Sequence, residues 1–198
     1  MIVSSYAYHG TSAAVAAVSP NLGDAVKLSP FVRMVSLPGP AGVPKAQAAD
    51  FFKAQIGSAI VDLNRRGISV AALLIDSIFS SDGVWFDPPG FIAGGVAAVR
   101  KAGGLVIADE VQQGFGRTGA HMWGFERHGI VPDLVTLGKP MGNGFPIGAV
   151  AGRKAPMEQF GATARYSNTF AGNTVGIATT DAVLTILQRD QIPRKRLP

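Results

Sequence analysis

Apolar residues fall along this chain in two arrangements, and the first is helical. Between Lys45 and Arg66, Phe52, Ile56, Ile60 and Leu63 recur at i, i+4, i+8 and i+11, the stripe of an amphipathic helix that Gly67 closes. Gly57 within it costs about 1 kcal/mol against alanine, too little to overturn the assignment. A second helix is expected after Pro88-Pro89, where Ile92, Val96 and Val99 share a face and Gly103-Gly104 stop it. A third, mostly apolar, runs from Asn173 to about Leu187, with Asn173 or Thr174 available as its cap. An alanine-rich helical turn, Thr11 to Val18, precedes Ser19-Pro20.

The second arrangement is the short, uninterrupted apolar run. Ile2 to Ser5, Phe31 to Leu37, Val70 to Ile75, Leu105 to Ala108, Leu134 to Leu137 and Gly148 to Ala151 each read as a strand. They do not alternate with polar residues, and they interleave with helices. Both signs predict an α/β fold: a mostly parallel sheet with helices on both faces. No repeat or linker stands out, so the chain reads as one domain-sized unit.

Composition narrows the function classes. No apolar run reaches a membrane span, and the first residues lack the basic and apolar regions of a signal peptide, so no membrane partner is expected. The absence of cysteine excludes disulfides and thiolate chemistry and points to a cytoplasmic location. His9, His121 and His128 lack i,i+4 spacing, so no metal site is expected. Of the net charge of +5, three units sit at Arg194, Lys195 and Arg196, leaving a body of +2. That distribution does not suit a phosphate-tracking surface, and no nucleic acid partner is expected.

The chemistry lies at two strand ends. Asp109 follows the run Leu105 to Ala108, and Lys139 lies thirty residues on, after Leu134-Val135-Thr136-Leu137-Gly138. Pyridoxal phosphate needs both groups: an amine to hold its aldehyde as a Schiff base, and a carboxylate to keep its ring nitrogen protonated. Parallel strands would deliver the two to one edge of the sheet. Gln112 would donate to the phenolic oxygen of the cofactor, whereas Glu110 points the other way while the chain stays extended. Tyr8 would stack on the ring with His9 beside it. Ser167, Asn168 and Thr169, before the last helix, would suit a phosphate. Each residue alone also has a structural reading: Asp109 as a cap or surface acid, Lys139 as a surface lysine, Tyr8 as a half-buried aromatic, and Ser167 to Thr169 as helix caps. Gly114-Phe115-Gly116-Arg117-Thr118-Gly119 matches the dinucleotide fingerprint G-x-G-x-x-G, but five residues separate it from the strand and a poor helix start follows. Dinucleotide binding is not expected.

Taken together, these residues resemble the class-III aminotransferase family, pyridoxal-phosphate enzymes of the aspartate-aminotransferase fold. The resemblance runs through Tyr8-His9-Gly10, Asp82-Gly83-Val84 to Pro89-Gly90-Phe91, Leu105 to Gly119, Pro132 to Lys139, Pro146 to Val150, and Asn168 to Asn173. It implies a Schiff base at Lys139, which also moves the proton between substrate and cofactor. It implies Asp109 on the pyridine nitrogen, Val111 under the ring, Gln112 on the phenolic oxygen and Tyr8 on the opposite face. It further implies a homodimer, with Thr169 reaching the phosphate of the neighbouring subunit's cofactor, and small-molecule amine and oxo-acid substrates.

The chain also departs from that family. Asp76-Ser77-Ile78-Phe79-Ser80 stands where members usually carry Glu-Pro-Ile-Gln-Gly, and Ser81 where many carry an acid that pairs with a substrate-gating arginine. No match to the N-terminal phosphate loop or the C-terminal small domain is found in residues 1–198. The expectation is therefore residues 1–188 as the central part of the cofactor-binding large domain, with 189–198 an irregular basic tail. The expected activity is amino transfer. The alternatives are a phospho-lyase on the same scaffold, or a truncated remnant without catalysis.

Overall fold

The computed structural model describes residues 1–192. Six strands form one sheet: β1 (Ile2–Ser4), β2 (Arg33–Val35), β3 (Ala72–Ile75), β4 (Leu105–Asp109), β5 (Leu134–Leu137) and β6 (Ala149–Gly152). Their order is β2-β1-β3-β4-β5-β6, parallel except that β6 runs antiparallel to β5. The helices are α1 (Ala13–Ala16), α2 (Ala48–Arg65), α3 (Ala93–Lys101), α4 (Lys154–Thr163) and α5 (Thr174–Arg189). The mostly parallel sheet and its interleaved helices are those read from the apolar runs.

Successive side chains of a strand point to opposite faces, and the two faces are covered unequally. On one, Leu73 and Ile75 of β3 and Val106 of β4 meet Phe52, Ile56 and Leu63 of α2 and Val96 and Val99 of α3 in the main core. Phe52, Phe79 and Phe91 form an aromatic cluster there, with ring centroids 5.6 to 6.4 Å apart. On the other face a smaller cluster gathers Val3, Leu74, Val18 and Val32, with Val15 of the short α1 against it. Leu105 is 37% exposed.

Of the predicted helices, α2 keeps its stripe, with Phe52, Ile56 and Leu63 fully buried, and a 3-10 turn, Lys45–Gln47, leads into it. Asn173 caps α5 by accepting from the Gly176 N–H at 2.8 Å. Arg189, assigned by sequence to an irregular tail, is instead the last residue of α5. The Asp190 N–H still reaches the Ile186 carbonyl at 2.9 Å, and the ladder ends where Gln191 takes a left-handed backbone with φ of 50°. The basic run Arg194-Lys195-Arg196 lies outside the described residues. Helix α4 has no counterpart in the sequence reading. It buries no residue and carries Pro156 and Gly161, so it shows no apolar stripe; Pro156 sits in the first turn, where its missing N–H costs nothing.

The order matters for function. From β1 the sheet grows to β2 on one side and to β3 on the other, which makes a switch point between β1 and β3. In open α/β sheets ligands sit outside the carboxyl ends of strands at such a point.

Candidate active site

The segments leaving β1, β3, β4 and β5 converge at their carboxyl ends on a cavity of about 220 Å³. It is lined by Tyr8, His9, Gly10, Asp76, Asp109, Val111, Gln112 and Lys139. Six residues that sequence assigned to the cofactor, Tyr8, His9, Asp109, Val111, Gln112 and Lys139, therefore share one cavity. The β4–β5 register sets Asp109 beside Thr136, which brings Lys139, three residues on, to the same edge. Lys139 opens a 3-10 turn, Lys139–Met141. That turn requires Gly142, where a Cβ would lie 2.0 Å from the Phe145 carbonyl oxygen. Among the described residues, the Lys139 side chain has no hydrogen-bond or ion-pair partner.

Asp109 is 7% exposed and has three donors. The Val111 N–H reaches Oδ1 at 3.1 Å and the Thr136 hydroxyl reaches it at 3.3 Å. His9 Nδ1 lies 2.6 Å from Oδ2, and because a carboxylate only accepts, Nδ1 carries the proton. The backbone N–H of His9 in turn donates to Ser19 Oγ at 2.9 Å, and that hydroxyl donates to the Val15 carbonyl at 2.7 Å. The imidazole is thus anchored from both backbone and ring, while its Nε2 is buried without a partner.

A second carboxylate faces the cavity. Asp76 accepts from the Ile78 N–H at 3.0 Å, from the Ser80 N–H at 2.9 Å and from the Ser80 hydroxyl. Burial raises its pKa above the usual carboxylate value and the nearby Asp109 charge adds to this, while these hydrogen bonds oppose it. Gln112 Nε2 donates to Ser80 Oγ at 2.8 Å. Sequence marked Asp76 and Ser80 only as departures from the family pattern; Thr136, a small hydroxyl in an unremarkable position, gave no signal at all.

Glu110 faces away from the cavity, as an extended chain demands. It is fully buried, and accepts from the Gly124 N–H at 2.8 Å, the Phe125 N–H at 3.0 Å and the Ser77 hydroxyl at 3.2 Å. Burial pushes its pKa up to about 7 against those hydrogen bonds. His128 completes this buried cluster: Nδ1 accepts from the Gly90 N–H at 3.2 Å, so Nε2 donates to the Ser77 carbonyl at 2.9 Å. The glycine-rich stretch Gly114 to Gly119 forms turns, followed only by a 3-10 helix, Gly124–His128, so the dinucleotide pattern lacks the strand-to-α-helix turn that its chemistry needs. Thr169 does not line the cavity. It is exposed, in the turn before α5, beside a hollow lined by Tyr166, Asn168, Phe170 and Asn173. Among the described residues no group of three or more His, Asp or Glu could hold a metal ion.

The family model for class-III aminotransferases matches residues 1–196. The chain is 35% identical over 208 residues to an alanine–glyoxylate aminotransferase 2-like protein of Drosophila melanogaster, covering all of this chain and 42% of that protein. Among solved structures, a phospholyase from Arthrobacter in complex with phosphoethanolamine superposes with a TM-score of 0.89 at 40% identity, over 98% of this chain and 47% of that one. A taurine:2-oxoglutarate aminotransferase from Bifidobacterium kashiwanohense, in complex with PLP and glutamate, gives 0.84 at 25% identity, over 97% and 45%. The chain thus spans less than half the length of each of these relatives. With the match running through nearly every described residue, and with Lys139 and Asp109 facing one cavity, the chain belongs to the class-III aminotransferase family.

Proposed function

We propose that this chain carries the reacting centre of a pyridoxal-phosphate-dependent aminotransferase that moves an amino group from an amine or amino acid to an oxo-acid. The observation that supports the reading is the presence of Lys139 and Asp109 on one cavity, each from the carboxyl end of one of two adjacent parallel strands. The donor count fits the cofactor. A carboxylate offers about four acceptor positions; Val111, Thr136 and His9 take three at Asp109, leaving one for a ring N–H. When bound, pyridoxal phosphate supplies an aldehyde carbon for an amine and a cationic ring that takes up electrons as a substrate Cα–H bond breaks.

The chain's own groups then divide the work. Lys139 Nζ attaches the cofactor and, once displaced by substrate, carries the proton on and off Cα. The His9 Nδ1–H orients Asp109. Tyr8 and Val111 bound the two faces of the slot, and the Gln112 amide donates to the phenolic oxygen. Thr169 serves the phosphate of a second copy's cofactor in a homodimer, a reading supported by the exposed apolar residues Tyr166, Phe170, Val175 and Ile177 around it. The absence of cysteine supports a cytoplasmic setting. Borohydride reduction of the protein incubated with pyridoxal phosphate should leave the label on the peptide containing Lys139, and Lys139→Ala should abolish it. Labelling spread over surface lysines instead would overturn the assignment.

A second reading is a phospho-lyase that eliminates phosphate from a phosphorylated amine. It is supported by the 40% identity to the Arthrobacter phospholyase and by Ser81 in place of the acid that many members use to recognise dicarboxylate acceptors. Phosphate release from phosphoethanolamine, without transfer of its nitrogen to an oxo-acid, would favour this reading; nitrogen transfer without phosphate release would favour the first.

A further inference from the structure

We propose that Ser80 and Asp76 act as a positioning pair for Gln112. They fix which end of its side-chain amide faces Ser80, leaving one amide hydrogen for an acceptor oxygen of a ligand in the shared cavity. The inference rests on the cofactor reading above, in which that acceptor is the phenolic oxygen of pyridoxal phosphate.

The two ends of a glutamine amide are nearly alike in shape, so hydrogen-bond partners decide its orientation. Here the decision begins at Asp76. Both its oxygens take backbone donors, Ile78 N–H on Oδ1 at 3.0 Å and Ser80 N–H on Oδ2 at 2.9 Å. The carboxylate therefore acts as an acceptor, and the single hydroxyl hydrogen of Ser80 goes to it. Ser80 Oγ then has only lone pairs to offer, and it meets Gln112 Nε2 at 2.8 Å. Reversing the amide would set the Gln112 carbonyl oxygen against those lone pairs. Nε2 carries two hydrogens; Ser80 takes one. The second stays available in the cavity, which Gln112 and Asp76 both line.

The chain's departure from the family thereby acquires a physical account. Where members usually carry glutamate and, four positions on, glycine, this chain has the shorter Asp76 and a hydroxyl at Ser80. The hydroxyl spans the gap between acid and amide. Losing it leaves Gln112 free to turn its oxygen toward a negatively polarised acceptor.

The test starts with the cofactor-free protein. In 15N–1H spectra the two Gln112 amide protons should be well separated and slow to exchange; Ser80→Ala should merge them toward solvent values and Ser80→Thr should preserve them. With pyridoxal phosphate added, Ser80→Ala should weaken binding about tenfold, the scale of one hydrogen bond to a charged group, and shift the visible absorbance maximum, while Ser80→Thr restores both. An unchanged Gln112 signal and affinity in Ser80→Ala would overturn the proposal, as would Ser80→Thr behaving like Ser80→Ala. Should Ser80→Ala prove to melt early by circular dichroism, the wild-type spectrum decides: a Gln112 amide in fast exchange overturns the proposal. Failure of the wild-type chain to attach the cofactor at Lys139 removes the proposed function instead, and the cofactor-free spectra still decide the Ser80–Gln112 link.

Discussion

Asp109 and Glu110 are consecutive carboxylates whose surroundings send them to different tasks. Asp109 faces the cavity with an imidazole N–H, a hydroxyl and a backbone N–H on its oxygens. Glu110 faces the interior, tying the 3-10 helix Gly124–His128 to the end of β4 through two backbone donors. Its pKa is raised by burial from 4.5 to about 7, so between those values the unfolded chain releases a proton that the folded chain keeps. Glu110 therefore costs stability as pH rises through that window, by an amount on the order of 3 kcal/mol at completion. His128, whose pKa burial lowers from its ordinary 6.5, acts with the opposite sign: below that value the unfolded chain binds a proton the native one refuses. The two partly cancel in the wild type, so the comparison must isolate one. Relative to wild type, Glu110→Gln should gain stability as pH is raised from about 5 to 8 in urea melts. Parallel pH profiles for the two proteins would show that Glu110 does not titrate there.

At the scale of elements, two glycines in helices make opposite predictions. Gly57 in α2 has nothing within 4 Å of the place where a Cβ would stand. Gly57→Ala should thus stabilise by about 0.5–1 kcal/mol through helix propensity alone. Gly95 lies where α3 crosses α2, and its added Cβ would come within 2.7 Å of Phe52 and 2.9 Å of Ile56. Phe52 is fully buried and held edge-on by Phe91 at 5.6 Å, so it cannot step aside. Overpacking of about 1–3 kcal/mol exceeds the propensity gain, and Gly95→Ala should lower the urea midpoint where Gly57→Ala raises it. The amphipathic stripe of α2 and the cap of α5 were legible in the sequence because burial on one face imposes a period on the chain. Helix α4 was not, since it buries nothing and so leaves no period to read.

For the whole molecule, the large apolar side chains left on the surface carry the consequence. Phe170 is 80% exposed and Tyr166 69%, with Val175 and Ile177 more than half exposed nearby in sequence. If these belong to the contact between two copies, Phe170→Lys should convert a two-copy species in sedimentation velocity to one copy, without altering the far-ultraviolet spectrum. A wild-type chain sedimenting as one copy would sink the dimer reading. The sequence alone determined the α/β class, all six strands to within two residues at either end, and six of the eight residues that line the cavity, because local runs of apolar residues report burial and the cofactor's needs dictate residue type. Tertiary structure decided the reversed direction of β6, the unequal cover of the two sheet faces, the pairing of His9 with Asp109 a hundred residues away, and the link from Asp76 through Ser80 to Gln112. These depend on which distant segments are brought side by side when the sheet assembles. A side chain's partner across that distance leaves no trace in the pattern of its own neighbours.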